Sequence, residues 1–120
     1  MDYKFINMEY LDSVAGGDIG IITEIANLFK EQSVEIHKEM VSLLAEKDYT
    51  SLGLLAHKAK SSVAILGMSE MAQLLKTFEL QAKDAKEIHL YETYIEKFKN
   101  DTKEAVKELD DIIINRQKRH

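Results

Sequence analysis

His57 is the residue of this chain whose type and position best suit chemistry, and it lies in the segment Leu55–Gly67. If this segment is a helix with about 100° of rotation per residue, its apolar residues, such as Ala59 and Val63, share one side. His57 then lies roughly 150° from the centre of that apolar side. We therefore expect the imidazole to face solvent.

The neighbours of His57 on its own helix face are mostly small. Residues three, four and seven positions apart share a helix face, and here they are Gly53, Lys60, Ser61 and Ala64. Another protein surface can approach a histidine closely when such side chains surround it. Phosphoryl transfer needs that approach, because the donor and the attacking nitrogen must come into line at short range. Leu54, at the edge of this face, is expected to be an exposed apolar contact for a docking partner.

Histidine can act as the nucleophile in such a transfer. Its neutral imidazole keeps one ring nitrogen with a free lone pair near neutral pH. The ammonium group of Lys60, one helical turn from His57, could stabilise phosphoryl oxygens. An isolated surface histidine beside a lysine is, however, usually a solvated pair without chemistry, so these two residues alone do not establish a function.

The elements that must position His57 are predicted to be helices. Proline is absent, and apolar residues recur at spacings of three and four between glycine-containing breaks. The predicted helices run over Met8–Val14, from Asp18 as N-cap to near Lys47, from Asp48–Ser51 to Gly67, from Ser69 as N-cap through Ala82, and over Tyr91–Ile113. We expect an all-α fold, an up-and-down four-helix bundle with a short additional N-terminal helix, as a single domain over residues 1–120. Apolar residues at helical spacing, Ile21 and Leu28 among them, are expected to form its core.

The composition restricts the classes of function. The chain has 120 residues, a net charge of −5, 45% hydrophobic residues and no cysteine. Negative charge disfavours nucleic acid and anionic lipid as partners, and no apolar run approaches the length of a membrane span. The N-terminus lacks the features of a signal peptide. We expect a soluble, cytoplasmic and monomeric protein that works as a stand-alone domain.

The segment around His57 resembles the histidine phosphotransfer (HPt) domain family. Its motif is commonly written H-x-x-K-G-[SA], and the stretch His57–Ser62 is followed by the later L-G at Leu66-Gly67 and by Phe78-Glu79. The resemblance extends over about residues 10 to 84, because Tyr10–Asp18, Phe29 and Lys47–Ala56 are similar to the usual lead-in of the family. One departure is Ser61, which stands where the family usually has glycine.

The resemblance implies a role for each matching residue. His57 would accept the phosphoryl group, Lys60 would assist with its charge, and Glu79 would hydrogen-bond the imidazole and orient it. Gly67 would turn the chain between two helices. The surface around Gly53, Leu54, Ser61 and Ala64 would dock the partner. Partners would be response-regulator receiver domains and a hybrid sensor histidine kinase. The chain would need no cofactor of its own, since Mg²⁺ would belong to the receiver.

Other functions remain open at this point. A di-metal oxidase in a helical bundle needs Glu-x-x-His pairs, and the chain has none. It also lacks a cysteine nucleophile, a glycine-rich phosphate loop and kinase motifs, so intrinsic kinase activity is not expected. His37, His89 and His120 are expected to be structural or incidental. A helical adaptor that binds receiver-like partners without phosphorylation is the main alternative. An oligomerisation module would need longer uninterrupted heptads.

Overall fold

Five α-helices and one turn of 3₁₀ helix make up a computed structural model that describes residues 3–117. The α-helices are α1 (Met8–Ala15), α2 (Ile19–Ala45), α3 (Tyr49–Ala64), α4 (Ser69–Lys83) and α5 (Tyr91–Gln117), and the 3₁₀ turn covers Ile88–Leu90. No strand occurs among residues 3–117. The predicted all-α class with a short first helix is confirmed.

Aspartates begin two of the long helices, as the sequence predicts. The carboxylate of Asp18 accepts the N–H of Gly20 at 2.7 Å at the start of α2, and that of Asp48 accepts the N–H of Ser51 at 3.1 Å at the start of α3. Each contact satisfies one backbone donor that the helix itself leaves unpaired.

The expectation that Ser69 caps α4 is wrong. Ser69 is the first helical residue, and Met68 occupies the cap position without a side-chain cap bond. Met68 is only 3% exposed, so its side chain packs into the core. This apolar side chain takes the place of a capping hydroxyl at the start of α4. The Met68 carbonyl still accepts the N–H of Ala72 at 2.9 Å.

The long helices pack in neighbouring pairs around one apolar core. α3 lies along α4 and α2 along α5, while smaller contacts join α2 to α3 and α4 to α5. Most of the apolar residues that were predicted to form the core are buried. The largest of these side chains include Leu52, Val63, Phe78, Phe98 and Ile112.

Two apolar residues of α2 depart from the predicted core. Ile21 is 42% exposed and Leu28 is 54% exposed. Each directly precedes a buried residue, Ile22 or Phe29, and one step along a helix turns the side chain by about 100°. The side of α2 that carries Ile21 and Leu28 is therefore rotated away from the core.

The segment before α1 is fixed to two other parts of the chain. The Glu108 carboxylate on α5 accepts the backbone N–H of Phe5 at 3.0 Å and of Ile6 at 2.9 Å. The N–H of Asn7 donates to the carbonyl of Leu66, just after α3, at 3.0 Å. These bonds hold the start of α1 against the turn that joins α3 to α4.

Candidate functional site

His57 on α3 and Glu79 on α4 form a direct side-chain contact. The imidazole Nδ1 lies 3.0 Å from Glu79 Oε2 and 3.1 Å from Oε1. The His57 side chain is 57% exposed and the Glu79 side chain 25% exposed. The sequence prediction that His57 faces solvent is confirmed, and the packing of α3 along α4 places a carboxylate beside its ring.

The contact determines which nitrogen of His57 is available as a nucleophile. An ionised carboxylate only accepts hydrogen bonds, so Nδ1 carries the hydrogen and donates it to Glu79. In a neutral imidazole the other nitrogen, Nε2, then keeps its lone pair. The site therefore presents an oriented ring whose Nε2 keeps a free lone pair.

Lys60 adds positive charge to the same pair. Its ammonium Nζ lies 3.7 Å from Glu79 Oε1, and its side chain is 29% exposed. Because Lys60 is one helical turn from His57, both side chains meet the one carboxylate from α4. The structure thus brings together His57, Lys60 and Glu79, the three residues that the sequence singled out.

The expectation that Gly53 lies on the exposed face around His57 is wrong. Gly53 is buried where α3 meets α4, and an added Cβ would lie 3.3 Å from the Glu79 carbonyl oxygen and 3.4 Å from the Lys83 nitrogen. The rotation of α3 alone gives the angle of each residue from the core, but it does not show which neighbouring helix covers the flank. Gly53 allows the close approach of α4 beside Glu79.

The other residues assigned to the docking surface are exposed. Leu54 is 70% exposed, the highest fraction among the large exposed apolar side chains. Ser61 and Ala64 are also exposed, on the same helix as His57. An apolar side chain so open to solvent, with small side chains nearby, leaves a surface that a partner can cover.

A cavity beside Lys60 includes residues that the sequence analysis did not single out for function. It has a volume of about 420 Å³ and is lined by Lys60 and Ala64 from α3, by Asn7 and Tyr10 from the N-terminal part, and by Lys76 from α4, among others. In the sequence analysis, Tyr10 was only the first residue of the segment Tyr10–Asp18, which resembles the usual lead-in of the family. Nothing in the sequence of α1 indicates that Tyr10 lies beside the cavity at the end of α3, since Tyr10 and Lys60 are 50 residues apart.

The remaining histidines lie outside this site. His37 on α2 is half-buried, and His89 Nε2 in the 3₁₀ turn lies 3.5 Å from Glu87 Oε2. His120 lies outside the described residues. Burial of the imidazole lowers the pKa of His37 below its usual value of 6.5, and the positive charge of Lys99 lowers this pKa further.

Replacement of His37 by Gln should weaken the acid sensitivity of folding. A lowered folded-state pKa means that the unfolded chain binds the proton more readily, so His37 removes stability as the pH falls below 6.5. Urea unfolding at several values between pH 8 and pH 5 should therefore show a smaller loss of stability in the variant than in the wild type. His89→Gln is the control, and an unchanged pH dependence in His37→Gln would contradict this prediction.

Within residues 3–117, no group of three or more histidine, cysteine, aspartate or glutamate residues is arranged to hold a metal ion. None of the helices in that part of the chain is both long and apolar enough to cross a membrane.

A comparison with known families assigns the chain. The family model described as the Hpt domain matches residues 24–115, from within α2 to within α5, and α1 lies outside the match. No curated protein and no solved structure matches the chain. Because the family model covers more than half of the sequence and includes His57, Lys60 and Glu79, the chain belongs to the Hpt domain family.

Proposed function

We propose that this chain carries the phosphoryl group on His57, taking it from a phospho-aspartate of one receiver domain and passing it to an aspartate of another. Membership of the Hpt family implies a role in histidine phosphotransfer within phosphorelays. The observation that carries this proposal is the hydrogen bond from His57 Nδ1 to Glu79, which leaves Nε2 with its lone pair.

The transfer follows from this arrangement. The lone pair of Nε2 attacks the phosphorus of the aspartyl phosphate, an N–P bond forms, and the P–O bond to the aspartate breaks so that the carboxylate leaves with the electron pair. The ring gains positive charge because Nδ1 keeps its hydrogen, and the Glu79 carboxylate, 3.0 Å away, stabilises that charge. Passage to the second receiver is the reverse reaction with a new aspartate.

Lys60 would neutralise charge on the transferred group. Phosphoryl transfer depends mainly on positioning and on compensation of the charge of the phosphoryl oxygens. The ammonium of Lys60 lies 3.7 Å from Glu79 Oε1, the carboxylate that also contacts the ring, and it would turn from this carboxylate to a phosphoryl group on Nε2. Mg²⁺ would remain with the receiver, and the chain would act as substrate and carrier without kinase activity of its own.

The exposed surface of Leu54, Ser61 and Ala64 would dock the receiver. Leu54 would supply apolar contact, and the small side chains of Ser61 and Ala64 would let the receiver approach the ring. The hydroxyl of Ser61, in place of the usual glycine, could donate a hydrogen bond to a phosphoryl oxygen. In this proposal α2 to α5 form an up-and-down four-helix bundle. The chain would be a monomeric cytoplasmic carrier that transfers the phosphoryl group between a hybrid sensor kinase and its response regulator.

Removal of the Glu79 carboxylate should slow phosphoryl acceptance without unfolding the chain. Glu79→Ala leaves the His57 ring without its orienting partner, and loss of positioning of this kind costs about 10- to 100-fold in rate. Glu79→Gln, which can still accept the Nδ1 hydrogen but lacks the charge, should fall between Ala and wild type. The rate of label transfer from a phosphorylated receiver in a quenched time course measures this.

Glu104→Ala is the matched control for the Glu79 variants. Glu104 is an exposed glutamate on α5 that pairs with Lys107 at 3.3 Å and has no contact with His57. Its removal should leave the transfer rate unchanged. Wild-type rates in both Glu79 variants, with folding intact by circular dichroism, would show that Glu79 does not orient the histidine.

A further inference from the structure

A second cavity lies between α2 and α5, and neither His57 nor any other residue of α3 or α4 lines it. Its volume is about 360 Å³, within the range of about 300–1,000 Å³ that is typical of small-molecule sites. Ser33 and Thr102, both buried, lie at its base, and Val34 and Val106 contribute apolar walls. The remaining lining residues are basic: Lys30, His37, Lys38, Lys99 and Lys103.

The cavity exists because two small residues occupy core positions of the helix pair. Ser33 and Thr102 lie among much larger buried side chains of the same helices, such as Phe29 and Phe98. Each hydroxyl donates to a carbonyl of its own helix, Ser33 to Lys30 at 3.2 Å and Thr102 to Phe98 at 2.7 Å. Because these donors are already used, the base of the cavity is suited to an apolar group.

The basic side chains around the cavity contrast with the net charge of −5 of the whole chain. Lys30 is paired with Asp110 on α5 at 2.6 Å. Across residues 3–117, no ion pair involves Lys38, Lys99 or Lys103. Three ammonium groups without a carboxylate partner therefore surround an apolar cavity, and like charges gathered in this way favour the arrival of an anion.

We propose that this cavity binds a small amphiphilic anion, with its apolar chain against Val34 and Val106 and its acidic headgroup among Lys38, Lys99 and Lys103. The negative headgroup complements the positive charge of the three lysines, and the alkyl chain of the ligand complements the two valine side chains. The site is separate from the phosphoryl site, so both can be occupied at once.

Decanoate is the test ligand, used at concentrations where it is monomeric. Titration of the ¹⁵N-labelled full chain should give saturable one-to-one binding, with the amide shifts concentrated in α2 and α5. The uncharged analogue 1-decanol and inorganic phosphate, which supply only the chain or only the charge, should each bind at least about tenfold more weakly, because the site combines both contributions. Equal binding of either analogue would overturn the proposal, as would shifts that map outside α2 and α5.

Charge reversal separates this site from general attraction to lysines. The double variant Lys99→Glu, Lys103→Glu should weaken decanoate binding by about tenfold or more, because it places carboxylates beside the headgroup. Lys97→Glu, Lys107→Glu changes the net charge equally on the same helix at two exposed lysines that do not line the cavity, and it should bind as the wild type does. Equal weakening in both double variants would contradict the proposal.

Filling the cavity provides an independent variant. Ser33→Leu places a larger side chain at its base and should abolish decanoate binding while the residues around His57 keep their amide shifts. Undiminished binding by a folded Ser33→Leu chain would overturn the proposed location. Sedimentation of the wild type without ligand completes the test, because a dimer formed across α2 and α5 would show that a second copy, and not an amphiphile, covers this surface.

Discussion

A His57→Gln chain is expected to acquire no acid-labile, alkali-stable phosphoryl label from a phosphorylated receiver and Mg²⁺, whereas the wild type becomes labelled. The substitution removes Nε2, the nitrogen that the hydrogen bond from Nδ1 to Glu79 leaves with a lone pair. Gln has no nitrogen nucleophile, since its amide lone pair is delocalised. Label should therefore fall to the background of a reaction without the chain, and the fold should be retained because His57 is more than half exposed.

His89→Gln is the matched control for this experiment. His89 is an exposed histidine with its own carboxylate neighbour, Glu87, at 3.5 Å, so it shares the general features of His57 without the position on α3. The control should be labelled like the wild type. Equal labelling of His57→Gln would contradict the assignment of the acceptor. If no receiver, the cognate one included, labels the wild type, the result would favour the adaptor that binds receivers without phosphorylation.

The sequence predicted those features of the site that depend on one helix or on the family motif. Rotation along α3 was enough to place His57 in solvent, because the apolar residues of that helix define its buried side. The partnership with Glu79 came from the resemblance, since no property of α4 alone directs that carboxylate to the ring. The 3.0 Å contact is consistent with the orienting role that the resemblance implies.

Features that depend on how helices cross could not be predicted in this way. Gly53 is one helical turn from His57, yet α4 covers it and leaves His57 open. Leu28 has helical spacing to other apolar residues, yet it lies beyond the edge of the buried stripe and is 54% exposed. Tyr10 reaches the cavity beside Lys60 only because the segment before α1 is bonded to α5 and to the end of α3. Each outcome is set by contacts between distant segments.

Gly67→Ala is expected to destabilise the chain by on the order of 2–4 kcal/mol, the largest loss among the substitutions outside the site. Gly67 has φ of 70°, a left-handed conformation that costs a residue with a Cβ about 1–2 kcal/mol. An added Cβ would also lie 2.5 Å from the Cβ of Asn7 and 3.3 Å from that of Tyr10. The new atom would push α1 away from the turn between α3 and α4. Urea unfolding followed by circular dichroism measures the loss.

Gly17→Ala separates the two causes, because Gly17 has nearly the same φ, 73°, with no atom within 4 Å of an added Cβ. It should cost only the backbone strain of about 1–2 kcal/mol, and equal losses in the two variants would show that the contact with Asn7 is unimportant.

A double-mutant cycle then tests the contact itself. Asn7 is the N-cap of α1, where its side-chain oxygen accepts the N–H of Tyr10 at 3.0 Å. Asn7→Gly removes the Cβ that the new alanine would meet, and replacement of a capping residue by glycine costs only a few tenths of a kcal/mol. Gly67→Ala should therefore be less damaging in the Asn7→Gly background than in the wild type, and the difference measures how tightly α1 is packed against the turn that follows the histidine helix.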